Sequence, residues 1–142
     1  MTNTADSEIE TMRGVLRSAK TIAIAGASDR PHRASHGVMK FLQSKGYRCI
    51  PVNPRLAGTS VLGETVYPDL ASIPVHIDLV DMFVNSDLAG PLTDEAIAAG
   101  ADAIWMQLEV INDVAAERAR KAGLRVVMDR CPAQEWGRLG LY

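Results

Sequence analysis

The sequence predicts a Rossmann-like α/β fold, a doubly wound, five-stranded parallel sheet of order 3-2-1-4-5 with helices on both faces. Three observations carry this expectation. Short apolar runs alternate with helical segments along the chain. Each run is almost continuously apolar, the mark of a strand covered on both faces. Glycines end the helical segments, and the connections are short enough for right-handed crossovers.

In chain order, Ser7 with Glu10 reads as a capping box opening a helix whose inner face carries Ile9, Met12, Leu16 and Ala19. Thr21–Ala25 is the first strand and stops at Gly26. Val38, Phe41 and Leu42 line a helix that Gly46 ends. Residues 47–52 form the second run, stopped by Asn53-Pro54. Residues 58–74 break the rhythm and read as a loop with a short turn or extra strand. The third run, 77–84, precedes a helical stretch closing at Gly100, in which Pro91 makes the first turn late or irregular. Ala103–Met106 is the fourth run. Asn112 caps a helix ending at Gly123, and residues 124–128 are the fifth run. The chain reads as one domain, 1–142, with residues 1–20 a helix packed on it.

Composition narrows the classes. The chain has 142 residues, 47% of them apolar and 23% charged, the balance of an ordinary globular domain. A net charge of −2 offers no general surface for nucleic acid or anionic membrane. The polar, acidic first ten residues do not resemble a targeting peptide. No apolar run approaches the roughly 18 residues of a membrane span. Cys49 and Cys131 lie far apart without CxxC spacing, so they are expected to be reduced thiols in a cytoplasmic protein.

In a sheet of this kind ligands sit at the carboxyl ends of the strands, near the point where the strand order reverses. The loop after the first strand begins Gly26-Ala27-Ser28 and continues through Arg30, His32, Arg33 and His36. A glycine there allows close backbone approach to an anion, and the following helix N-terminus adds N–H donors. The loop departs from GxGxxG, with Ser28 and Pro31 at the later glycine positions, and the chain lacks GxxxxGK(S/T). After the second strand come Asn53, Pro54 and Arg55, without the carboxylate that would accept a ribose hydroxyl. An arginine there favours a phosphorylated ribose, as in NADP or coenzyme A. Val84, Gln107, Leu108 and Glu109 follow the third and fourth runs, with Glu109 of the wrong sign for a phosphate neighbour. Cys131 follows the fifth run beside Arg130, a position for either a thiol-exchange group or a small buried hydrophobe. No GxSxG, HExxH or acid–base pair is recognisable, and no metal set is expected at His32 and His36.

Taken in order, residues 24–28 (IAGAS), 47–54 (YRCIPVNP), Leu62-Gly63-Glu64, Tyr67-Pro68, 78–83 (DLVDMF), Trp105-Met106-Gln107 and 128–131 (MDRC) resemble the small stand-alone CoA-binding proteins. These in turn are similar to the CoA-binding domain of the succinyl-CoA synthetase α subunit. The resemblance spans about residues 21–139. It implies coenzyme A as ligand, with Gly26, Ala27 and Ser28 on the pyrophosphate and Arg33 and Arg55 on phosphates. It places Gln107, Leu108 and Glu109 along the nucleotide-proximal part of the ligand. Many members have arginine where this chain has Val84 and glycine where it has Glu109, departures that reduce charge or room near the ligand. Synthetase chemistry is not implied, because it needs a second domain with a phosphorylated histidine and a partner subunit.

Three readings follow. The first is a protein that binds coenzyme A or an acyl-CoA at the carboxyl edge, without evident catalytic machinery. The second is an NADP-binding reductase or redox-sensing domain, which the Asn53–Arg55 loop permits and the missing second glycine opposes. The third is an interaction module whose nucleotide site has decayed, with Glu109 as the motive. No nucleic-acid or membrane partner is expected.

Overall fold

The computed structural model describes residues 4–141. In chain order it forms α1 (Thr4–Ser18), β1 (Thr21–Ala25), α2 (Ala34–Ser44), β2 (Arg48–Val52), β3 (Ser60–Val61), β4 (Glu64–Thr65), β5 (Leu79–Met82), α3 (Ser86–Ala98), β6 (Ala103–Met106), α4 (Asp113–Lys121), β7 (Arg125–Val127) and α5 (Pro132–Glu135). Five strands make one parallel sheet ordered β2-β1-β5-β6-β7. Tyr67 adds a parallel bridge to Val52 outside β2. Counting that segment as the third strand gives the order 3-2-1-4-5, with β7 beyond it. The apolar run at 77–84 therefore lies beside β1, and the order reverses between β1 and β5.

Alternate residues of each strand enter two separate apolar layers, which is why the runs read as continuously apolar. Ile22, Ile24, Cys49, Leu79, Trp105 and Val127 pack with α1, α2 and the α5 segment. Ala23, Ala25, Ile50, Val80, Met82 and Ile104 pack with α3 and α4, whose contact residues are mostly alanine. In the first layer Trp136 meets Phe41 and Tyr47 edge to face, at centroid distances of 5.5 and 6.0 Å. Burial of side chains this large contributes about 1.5–3 kcal/mol each. Asp78 ties the strands together at their amino ends, its Oδ2 accepting from Lys20 N and Thr21 N at 2.8 Å.

Local chemistry accounts for most boundaries. Asn85 and Asn112 cap α3 and α4, each side chain accepting from the backbone N–H three residues on. Gly46, Gly100 and Gly123 follow the C-caps of α2, α3 and α4 with positive φ. Leu62-Gly63 turns the β3–β4 hairpin with φ of 49° and 82°, a type I′ signature.

Two expectations are corrected. α1 already runs from Thr4, so Ser7 lies inside it and Glu10 pairs with Arg13 instead of closing a capping box. α3 starts at Ser86 and passes through Pro91, whose ring sits on an exposed position. Asn85 secures the first turn, and tertiary packing of Ala89, Leu92 and Ala96 outweighs the missing N–H. No helix among the described residues is long and apolar enough to cross a membrane.

Candidate functional site

The carboxyl ends of β1, β2, β5 and β6 converge on one open cleft of about 660 Å³. Its floor is the loop after β1. Gly26 N and Ala27 N donate to Val52 O at 3.0 and 3.2 Å, stitching this loop to the end of β2. Gly26 has φ +83°, and a Cβ there would stand 2.1 Å from Phe83 O. Only glycine lets the loop pass this close to the end of β5. From β2, Asn53 Nδ2 donates to Ala27 O at 2.8 Å, while Asn53 Oδ1 accepts from Arg55 N at 2.9 Å. Asn53 thus acts as a clamp between the first two loops, and its amide is spent on that clamp.

The electrostatics favour an anion. Arg30, Arg33 and Arg55 line the cleft, against the single carboxylate of Asp29. Helix α2 points its N-terminus into the same space, with Ala34 and Ser35 in the wall. Its N-cap position is Arg33, which gives no side-chain cap, in contrast to the asparagines on α3 and α4. His36 N and Gly37 N donate back to Arg33 O, which leaves Ala34 N and Ser35 N as the open donors of that first turn.

Of the residues singled out from sequence, Gly26, Ala27, Ser28, Arg33, Asn53, Arg55, Val84, Gln107 and Leu108 lie together around the cleft. Pro54, Glu109 and Cys131 do not line it. The cleft also takes in Arg30, Leu56, Phe83, Asn85 and Val110. Arg30 and Asn85 stand in loops flagged from sequence, but only the fold shows which loop residues turn inward.

Of the two roles the sequence leaves open for Cys131, its burial matches the small buried hydrophobe. Cys131 is 6% exposed and packs in the layer shared by α1, α2 and α5. Burial pushes its thiol pKa up, outweighing the backbone N–H groups of Gln134 and Ala133 that act in the opposite direction. Arg130, the neighbouring cation, pairs with Glu8 of α1 at 2.7 Å. Cys49 is more extreme, its pKa pushed up to about 12 chiefly by burial. Both cysteines are free thiols.

Glu109 sits at φ 67° and Asp129 at φ 59°, both left-handed. The two loops are joined by Glu109 N donating to Asp129 Oδ1 at 2.7 Å. A backbone in this region is the physical reason a glycine would suit position 109. Glu109→Gly is expected to leave this hydrogen bond intact and to stabilise the fold by up to about 1 kcal/mol. Urea denaturation checks it; a clear loss of stability would mean that the glutamate side chain contributes packing that outweighs its backbone strain.

The fold and cleft define a doubly wound α/β domain with an anion-favouring site at its strand-order reversal. The chain belongs to the CoA-binding domain family, whose profile matches residues 20–137. It is 35% identical over 131 residues to the uncharacterised protein YneT of Bacillus subtilis, covering 92% of this chain and 93% of that one. It is similar to the structure of a hypothetical protein from Pyrococcus horikoshii, with 38% identity, a TM-score of 0.89, and coverage of 98% and 99% of the two chains. It is also 25% identical over 126 residues to the α subunit of an ADP-forming acetate–CoA ligase of Pyrococcus furiosus. That match covers 79% of this chain but 27% of the ligase subunit.

Proposed function

We propose that this domain binds coenzyme A or an acyl-CoA in the cleft at the carboxyl edge of the sheet. The observation that carries this reading is the junction of the Gly26 loop, the uncapped α2 N-terminus and Arg30, Arg33 and Arg55 in a CoA-binding-family domain. In this reading the pyrophosphate lies over Gly26, Ala27 and Ser28, where the backbone approaches closely. Arg33 and Arg55 meet phosphates, and the 3′-phosphate lies on the Arg55 side, where no carboxylate follows β2. Val84, Gln107 and Leu108 border the remainder of the ligand. These residues supply orientation and charge, and the proposed role is binding.

Calorimetric titration with coenzyme A, 3′-dephospho-CoA, NADPH and NADH tests the reading. Coenzyme A is expected to bind tightest. Loss of a charge-assisted bond of about 1.5–3 kcal/mol makes Arg33→Ala and Arg55→Ala each weaken it roughly tenfold or more. Binding of NADPH in preference to coenzyme A would overturn the ligand. Equal affinity for coenzyme A and its 3′-dephospho form would remove the 3′-phosphate from the site.

A further inference from the structure

Below the cleft, in the middle of the sheet, lies a carboxyl that the binding residues described above do not use. Asp81 of β5 stands between Ile24 of β1 and Trp105 of β6 and is fully buried. Its Oδ1 accepts from Gln107 Nε2 at 2.7 Å, while its Oδ2 has no hydrogen-bond partner among the described residues. A carboxyl left half-satisfied at the centre of a core costs stability and is rarely a packing solution. Gln107 is its one polar partner, and Gln107 lines the cleft.

A primary amide has one donor end and one acceptor end. With Nε2 committed downward to Asp81, Oε1 of Gln107 is left without a protein partner among the described residues. We propose that Asp81 is a positioning residue for the cleft, holding the Gln107 amide so that its oxygen, not its nitrogen, is offered to the ligand. The inference rests on the coenzyme A reading and deepens it: position 107 selects a ligand N–H. Coenzyme A carries such donors in two places, the exocyclic amino group of adenine and the amides of the pantetheine arm.

The charge state of Asp81 governs how firmly the amide is held. An ionised carboxylate can only accept, which fixes Nε2 toward it. A protonated one can also donate, which lets the amide turn over. The titratable groups that share its surroundings are the thiols of Cys49 on β2 and Cys131 before α5. Burial pushes both thiol pKa values up, so neither carries charge at neutral pH.

Asp81→Asn is the test. Like the protonated acid, its side-chain amide can either accept from Gln107 Nε2 or donate to Gln107 Oε1, so the orientation of Gln107 is no longer fixed. Affinity is measured by calorimetry for coenzyme A, for adenosine 3′,5′-bisphosphate and for 4′-phosphopantetheine, from pH 6 to pH 8. With the binding-competent orientation reduced to a fraction of the population, Asp81→Asn is expected to weaken coenzyme A about twofold or more at pH 8. The same loss should fall on only one fragment, which identifies the donor. The ratio of wild-type to Asp81→Asn affinity should rise with pH, a trend that ligand phosphate ionisation cannot produce because it is common to both proteins. Gln107→Met, which keeps Asp81, should weaken the same fragment, and the double variant should be no weaker than the worse single one. Unchanged fragment affinities and a flat ratio in Asp81→Asn would overturn the inference while leaving coenzyme A binding standing. Failure of the wild type to bind coenzyme A or either fragment would overturn both.

Discussion

Asp81→Asn is expected to stabilise the protein at pH 8 by as much as about 4 kcal/mol and to have little effect near pH 4. Burial pushes the Asp81 carboxyl from its ordinary 3.8 up to about 7, with the Gln107 hydrogen bond acting in the opposite direction. Between those two values the folded chain holds a proton that the unfolded chain has released. The contribution of the protonated carboxyl is therefore complete below pH 3.8 and is lost as pH rises through about 7. Asparagine keeps the shape and never carries the charge, so the advantage of the variant grows across that interval and then levels off. Guanidinium denaturation at several pH values reads it directly. A pH-independent difference would show that Asp81 does not titrate in this range.

Gly26→Ala is expected to be the most damaging small substitution in the cleft, costing about 3–5 kcal/mol and abolishing ligand-induced stabilisation. The added Cβ would lie 2.1 Å from Phe83 O and 2.9 Å from its carbonyl carbon, both backbone atoms with little freedom to yield. The positive φ of 83° adds strain of its own. Gly37→Ala is the matched control, since its Cβ meets nothing within 4 Å and the residue lies inside α2. There alanine should stabilise by about 0.5–1 kcal/mol. A Gly26→Ala protein within about 1 kcal/mol of wild type would mean the loop can retreat from β5, and the close approach would lose its functional meaning.

The parts of the fold legible in the sequence were those written by local chemistry. Thr21–Ala25, the caps at Asn112 and Gly46, and Gly123 stand where short-range rules put them. Helix α5 is not legible because four residues beginning at Pro132 carry no periodicity to read. The cleft was legible as a set of loops after strands, and its Gly26, Asn53 and Gln107 corners were named. What the sequence leaves open at Cys131 turns on distance. Its neighbour Arg130 is claimed by Glu8, 122 residues earlier, a pairing no local pattern announces. Asp81 did leave a signal, a carboxylate inside the apolar segment DLVDMF, but its weight appears only once the strand is known to be covered on both sides.

The two-layer alternation also decides how the strands find their partners during folding. In a sheet with one wet face, a slip of one residue exposes the core and is rejected by polarity. Here both faces of β1 are apolar, so polarity cannot tell correct pairing from a slipped one. Bulk does the sorting. Ala23 and Ala25 enter the layer that also holds the larger Ile50, Val80 and Met82 of the neighbouring strands, while Ile22 and Ile24 enter the layer that holds Met12, Met39 and Leu42. A one-residue slip of β1 would drive isoleucines into the places of Ala23 and Ala25, at a cost of about 1–3 kcal/mol for each overpacked site. The two alanines of β1 thus act as a gauge of strand register, and enlarging one of them would blur the pairing of β1 with its neighbours.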